Sequence, residues 1–157
     1  MITLVPNENA LTVEMIRMFL RDRPEYNILL DDVEFKTIDI ENAARLTVFK
    51  WNAYVPVSNI TSIVDINPYL ALLSICSILL RSEGLRQLRN QVNAQDGGIA
   101  PVGLDEKETL YMRWAESLGA EFDTQTKQIK IQQNLEVLMD NPAYTRSGYA
   151  YLNRWRR

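Results

Sequence analysis

The chain has 157 residues, of which 46% are hydrophobic and 24% charged, and this composition is that of an ordinary globular domain. A chain of this length can bury a core without disulfides or metals. It contains no histidine, so it offers no Ser–His or Cys–His catalytic pair and no zinc site of the usual kind; we expect no enzyme, no cofactor and no metal.

Charge is divided unevenly along the chain. Four of the 17 basic residues lie in 141–157, which holds no acid, so residues 1–140 carry 13 basic and 20 acidic groups and a formal charge of −7. This division predicts that the basic end meets a partner while the acidic body avoids polyanions. The start of the chain lacks signal-peptide features, and the longest apolar run, 69–80, is shorter than a membrane span, so we expect a soluble protein made in a cytoplasm.

The first half of the chain predicts two helices. Apolar residues at helical spacing predict the first from about 11 to 21, with Thr12 or Asn9 as its cap and Pro24 blocking its continuation. The second helix is predicted from Thr37, with acidic residues in its first turn. Its apolar stripe comprises Ile40, Ala44, Leu46, Val48 and Trp51.

Two irregular connections are predicted around the second helix. Residues 29–35 read as a polar loop with apolar contacts, and residues 53–66 contain β-favouring side chains without a clean alternation. Within the first loop, Asp31, Asp32 and Glu34 could form a metal or acid/base site or a solvated turn. The spacing lacks the fixed glycine and longer ligand series of a calcium loop, which favours the turn.

The third helix is the clearest prediction. Asn67 can cap it and Pro68 suits its first position. The run 69–80 is apolar nearly all round, as in a central core helix. Cys76 lies in this run and reads as a buried small hydrophobe in a reducing compartment rather than as a reactive thiol.

A turn at 95–98 leads to a fourth helix from about Glu106 to Asp123. Its predicted buried face comprises Tyr111, Trp114, Ala115, Leu118 and Phe122. Beyond it the apolar residues of 127–139 fall on odd positions, a period of two that predicts a strand. No partner strand is evident within the chain, so this strand would pair between subunits.

The end of the chain, 141–157, is rich in tyrosine, tryptophan and arginine, the residue types that concentrate binding energy at interfaces. Three readings stay open for it: it inserts into a groove of a protein partner, it stacks on single-stranded nucleic acid, or it packs on its own domain.

The predicted fold is mainly α: a helical bundle of about four helices with an extended, partly β C-terminal segment and arm. The bundle domain spans 1–126, the extended segment 127–140 and the C-terminal arm 141–157.

Several stretches carry a resemblance to a known family. They are IRMFLRDRPEYN at 16–27, LLDDVEF at 29–35, LLRSEGLRQLRN at 79–90 with the Gly97-Gly98 turn that follows it, and YTRSGY at 144–149. Together they resemble the head-to-tail adaptor (connector or neck) proteins of tailed bacteriophages.

The resemblance implies a structural virion protein of the neck region, made in the host bacterial cytoplasm. Such adaptors form rings of usually twelve copies between the portal protein and the tail or neck terminator proteins. Their C-terminal arm docks on the portal, and DNA passes through the channel without specific binding; no membrane is involved. Twelve acidic bodies would give a ring of roughly −84, whose wall repels phosphates.

The resemblance assigns partner binding to the arm, through Tyr144, Arg146, Tyr149, Tyr151, Arg154, Trp155, Arg156 and Arg157. Oligomer contacts are expected at Ile129, Ile131, Arg81, Arg86 and Arg89. For the three arginines the alternative, which the pattern favours, is a charged outer face of the third helix. Two alternatives remain: another neck or baseplate structural protein, and a small nucleic-acid-binding module that uses the Arg/aromatic arm.

Overall fold

A computed structural model describes residues 10–27, 32–91 and 105–140. Four α-helices and no strand occur in these ranges: α1 (Val13–Leu20), α2 (Thr37–Ala53), α3 (Pro68–Gln91) and α4 (Asp105–Asp140), with a short 3₁₀ helix at Ile63–Asp65. Helix α3 contacts each of the other three, and its longest interface is with α4. The predicted mainly helical bundle is therefore confirmed.

Local side-chain chemistry sets the helix boundaries. Thr12 Oγ1 accepts a hydrogen bond from the Met15 amide at 3.2 Å, so Thr12 is the cap of α1, and Arg21 ends that helix in the left-handed conformation at φ 57°. Asn67 Oδ1 accepts from the Tyr69 amide at 2.9 Å ahead of α3. The predicted start at Pro68 is confirmed.

Helix α3 is the centre of the core because neighbours cover several of its faces. Leu70, Ala71, Leu73, Ile75 and Cys76 are each at most 1% exposed. Burial raises the pKa of the Cys76 thiol to about 12, which fits the predicted inert hydrophobe.

By length and composition alone, Pro68–Arg89 within α3 could cross a membrane. The central helix of a globular bundle meets the same criterion, and half of the most apolar window is buried against the rest of the chain. The segment is therefore explained by its place in the core.

The predicted strand at 127–139 is wrong, because α4 continues as a helix through this segment to Asp140. The buried positions follow a helical period, with Ala115, Leu118, Phe122, Thr126 and Lys130 on one side. Two of these five are polar, which interrupted the apolar stripe and left the alternation at 129–139 as the visible pattern. The helical pairing of α4 with α3 overrides that alternation.

Individual faces also differ from prediction. Trp114 is 62% exposed and Leu46 51% exposed, although both were expected in the core.

Residues 54–62 form the predicted irregular connection. Asn52 organises it: its Oδ1 accepts from the Ser58 hydroxyl and the Ile60 amide, and its Nδ2 donates to the Ile60 carbonyl.

Candidate functional site

The residues predicted to bind a partner lie outside the described residues. They are the aromatic and arginine side chains of the arm: Tyr144, Arg146, Tyr149, Tyr151, Arg154, Trp155, Arg156 and Arg157. The Gly97-Gly98 turn lies outside them as well.

The residues predicted at an oligomer interface do not form one surface. The arginines Arg81, Arg86 and Arg89 lie on the half of α3 that pairs with the beginning of α4, since Gly84 approaches Met112. Ile131 lies 19 residues beyond Met112 along α4, roughly 28 Å at the rise of an α-helix. Two separate regions of the molecule therefore carry these residues.

The five side chains also differ in their surroundings. Arg81, Arg86 and Arg89 are all exposed, but Arg86 is also bound to Glu83 and Glu34 of its own chain. Ile129 is half-buried against the core cluster, and Ile131 is 58% exposed. Of the two isoleucines, Ile131 is the one available to another molecule.

The end of α4 carries an apolar surface that the rest of the described chain leaves exposed. Every residue from 131 to 138 is exposed, so this part of the helix extends past the bundle. Ile131, Leu135 and Leu138 share one face at spacings of four and three, the arrangement of a helix–helix seam. We call these three residues the α4 tip surface.

The chemistry of this surface suits a protein partner. Glu136 is the one charged residue between 131 and 138, and the other polar residues there are the neutral amides Gln132, Gln133 and Asn134. A surface for phosphates would need lysine or arginine. An apolar stripe with neutral flanks lets another apolar helix approach without charge repulsion.

The base of the tip is fixed to the bundle by a buried lysine. Lys130 is 1% exposed, and its Nζ donates to the Ser58 hydroxyl at 2.6 Å and to the Pro56 carbonyl at 3.3 Å. The ammonium also lies 4.9 Å from the centroid of the Trp51 ring. Burial lowers the pKa of Lys130.

That anchor places two more apolar side chains at this end of the molecule. Val55 and Val57 flank Pro56 in the sequence and are 78% and 75% exposed. Because the Pro56 carbonyl is bound by Lys130, the residue before Ile131, both valines lie near the beginning of the tip.

A second exposed apolar surface lies on α2. Ile38, Leu46 and Phe49 are 54%, 51% and 67% exposed and lie on the face opposite the buried Ala43, Thr47 and Trp51. Arg45 lies among them and is also exposed. We call Ile38, Leu46 and Phe49 the α2 outer face.

A cluster of charged residues joins α3 to the segment that precedes α2. Glu83 of α3 is 4% exposed and accepts from Arg86 Nε and Nη2, each at 2.7 Å, and from Gln87 Nε2 at 2.7 Å. Glu34 precedes α2, and its Oε1 lies 3.7 Å from Arg86 Nη2. Burial, followed by the facing Glu83 carboxylate, raises the pKa of Glu34 to about 7.

Asp22 organises the segment that carries Glu34. Its carboxylate accepts from the amides of Glu34 and Phe35 at 2.6 and 3.0 Å and from Asn27 Nδ2 at 3.0 Å. Arg17 Nη1 completes the shell with a buried ion pair at 3.1 Å. The sequence did not reveal this arrangement, because it joins Asp22 to the amides of residues 12 and 13 positions later in the chain.

The acidic stretch around Glu34 therefore has a structural explanation. Asp31 lies outside the described residues, and the Asp32 side chain accepts from the Val33 amide, as in a turn. Across the described ranges no group of three or more potential metal-binding side chains occurs. The structure thus offers interaction surfaces and an internal carboxylate pair as its candidate sites.

No family model, no curated protein and no solved structure matches this chain.

Proposed function

We propose that the protein is a structural, non-enzymatic component of a tailed-bacteriophage virion, a head-to-tail adaptor that forms a ring between portal and tail. The observation that carries the proposal is the α4 tip surface, where Ile131, Leu135 and Leu138 leave the bundle with no intramolecular cover among the described residues. Apolar helix faces of this kind are interaction sites in proteins that assemble.

Ring assembly requires two different surfaces on each copy, because a head-to-tail contact joins one patch to another and closes by rotation. The α4 tip surface and the α2 outer face are two such patches on separate helices. We propose that neighbouring copies in the ring meet through these two patches.

The charge distribution supports the same function. Residues 1–140 carry a formal charge of −7, so a ring of these bodies would repel the phosphates of DNA in its channel. The basic, aromatic arm at 141–157 is the part proposed to dock on the portal. Each part of the chain then has one role: the bodies form the ring and the arms attach it.

Sedimentation velocity across a concentration series tests the assembly step. The wild type should form oligomers as concentration rises, and Leu135→Gln should shift that association to at least tenfold higher concentration, since it places an amide in the seam. Gln133→Ala, on the opposite side of the same helix, is the matched control and should associate like the wild type. A wild type that stays monomeric at every concentration, or a Leu135→Gln variant that associates unchanged, contradicts the proposal.

A truncated chain, 1–140, tests the role of the arm. It should fold as the full chain does but fail to bind the portal protein encoded by the same phage. Portal binding with full affinity would show that the arm assignment is wrong. Salt-dependent binding of the full chain to single-stranded DNA, lost in a Tyr149→Ala, Trp155→Ala variant, would instead support a nucleic-acid-binding module.

A further inference from the structure

Two glutamates face each other in the bundle, and the half-exposed guanidinium of Arg86 reaches both of them. Arg86 binds Glu83 through two 2.7 Å hydrogen bonds and reaches Glu34 at 3.7 Å. The Glu83 side chain is 5% exposed and that of Glu34 is 17% exposed, so water screens the pair poorly. The arginine can neutralise only one of the two carboxylates.

The other elements packed on this site do not supply the missing positive charge. The segment after α1 contributes the Asp22 carboxylate, which is neutralised by its own partner Arg17 at 3.1 Å. Helix α4 contributes Tyr111, whose phenol forms a hydrogen bond with Glu34 and is neutral near pH 7. Three carboxylates therefore share two arginines, and one bound proton would bring the net charge of the cluster to zero.

We propose that this cluster is a proton-operated latch, in which one proton between Glu34 and Glu83 holds segment 32–36 on α3 and loss of that proton releases the segment. In the latched state Glu34 is neutral and donates a hydrogen bond to the Glu83 carboxylate, while Arg86 neutralises Glu83. When Glu34 ionises, its proton goes to solvent and two carboxylates at this site repel each other.

Release of the segment would break a defined set of contacts. Apart from the latch, the Glu34 and Phe35 amides are bound by Asp22, Asn27 Nδ2 donates to the Asp32 carbonyl at 3.1 Å, and the Phe35 side chain inserts into the core at 6% exposure. Lys36, the last residue of the segment, caps α2 and its amide donates to Asp39. Release would withdraw Phe35 and free the residues that lead into α2. A pKa of about 7 for Glu34 places this transition in the physiological range.

Hydrogen exchange at the Glu34 and Phe35 amides, measured on the full chain at pH 5.5 and 8.5 and corrected for the intrinsic pH dependence of exchange, tests the proposal. The opening equilibrium should rise roughly tenfold or more over this range, since the closed state binds a proton that the open state does not. In parallel, the ¹³C signal of the Glu34 carboxyl should titrate near pH 7.

Glu34→Gln should keep both amides protected at pH 8.5, because the neutral amide retains a donor to Glu83 without a charge. Glu83→Gln should weaken the pH dependence, because ionised Glu34 then faces no carboxylate from α3 and can pair with Arg86. Glu116→Gln, an exposed position on α4, is the control and should exchange like the wild type.

A Glu34 carboxyl that titrates near 4.5 overturns the proposal, as does equal corrected exchange at the two pH values in the wild type. These wild-type measurements decide the matter even if Glu34→Gln fails to fold. The latch operates within each copy, so its failure would leave the proposed ring assembly untouched.

Discussion

The hydroxyl of Tyr54 donates a 2.5 Å hydrogen bond to Oδ1 of Asp123, joining the end of α2 to the middle of α4. Lys50 Nζ lies 2.7 Å from the same oxygen. Burial raises the pKa of Tyr54. Burial alone would also raise that of Asp123, but the bonds from Lys50 and Tyr54 hold the pKa of this carboxyl below its usual value.

Tyr54→Phe should lower the free energy of unfolding by about 1 kcal/mol, because it removes a hydrogen bond to a charged acceptor while keeping the ring packed against Phe122. Urea titration followed by circular dichroism measures the change. Tyr69→Phe is the matched control: its hydroxyl donates to Glu121 at the surface, and its loss should have little effect. Equal losses in the two variants would contradict the importance given to the Tyr54 bond.

Thr126→Val should leave stability unchanged or raise it by up to about 1 kcal/mol. The Thr126 hydroxyl is fully buried and has no hydrogen-bond partner in the part of the chain that the structure describes, so valine removes an unsatisfied polar group at nearly constant volume. Thr47→Val provides the contrast, since that buried hydroxyl bonds the Ala43 carbonyl and Ser74 Oγ, each at 3.0 Å. Thr47→Val should lower the free energy of unfolding by about 1–2 kcal/mol in the same urea titration. A larger loss in Thr126→Val than in Thr47→Val would contradict this prediction.

Lys130→Ala should lower stability by about 2 kcal/mol or more, because it leaves the Pro56 carbonyl and Ser58 hydroxyl without their donor and empties the space beside Trp51. Differential scanning calorimetry measures the loss. Lys127→Ala, at an exposed position three residues earlier on α4, should change the melting temperature little. If both substitutions had the same small effect, Lys130 would not be the anchor of this end of the helix.

Stability should fall as pH rises through the neutral range, by an amount that depends on Glu34. The ordinary pKa of this carboxyl is 4.5 and its folded-state pKa is about 7, so the folded protein binds a proton that the unfolded chain releases. The stabilisation that this proton gives the folded state is fully present below about pH 4.5 and is lost as the pH rises through 7. We expect wild type to lose about 1–2 kcal/mol relative to Glu34→Gln between pH 5 and 8, measured by urea titration at each pH. Parallel pH profiles of the two proteins would contradict it.

The sequence predicted the helical part of the fold where local signals and burial agree. Thr12, Asn67 and Pro68 are helix-start residues whose effect depends on adjacent backbone, and the run 69–80 is apolar because it is central. The helical state of α4 beyond Asp123 could not be predicted from such local signals. The buried face of this part of the helix includes the polar residues Thr126 and Lys130. Lys130 is buried because it contacts Pro56 and Ser58, which lie more than 70 residues earlier in the chain.

The candidate sites also differ in whether local sequence signals could predict them. The sequence named Ile131 as an oligomer contact on a strand, whereas the structure places it on a helix, exposed on the same face as Leu135 and Leu138. It named Arg86 as an expected oligomer contact, whereas in the structure Glu34 and Glu83 of the same chain bind its guanidinium. Such a cluster brings together residues from segments far apart in the sequence, so no local sequence pattern predicts it.

The position of Lys130 has a measurable consequence. Among the described side chains of α4, Lys130 is the last that is buried, one residue before the exposed stretch 131–138, and its ammonium lies 4.9 Å from the centroid of the Trp51 ring. A molecule that binds the exposed end of α4 and shifts Lys130 would change the surroundings of this indole, so the fluorescence of Trp51, with Trp114 and Trp155 replaced by phenylalanine, would report binding at that end.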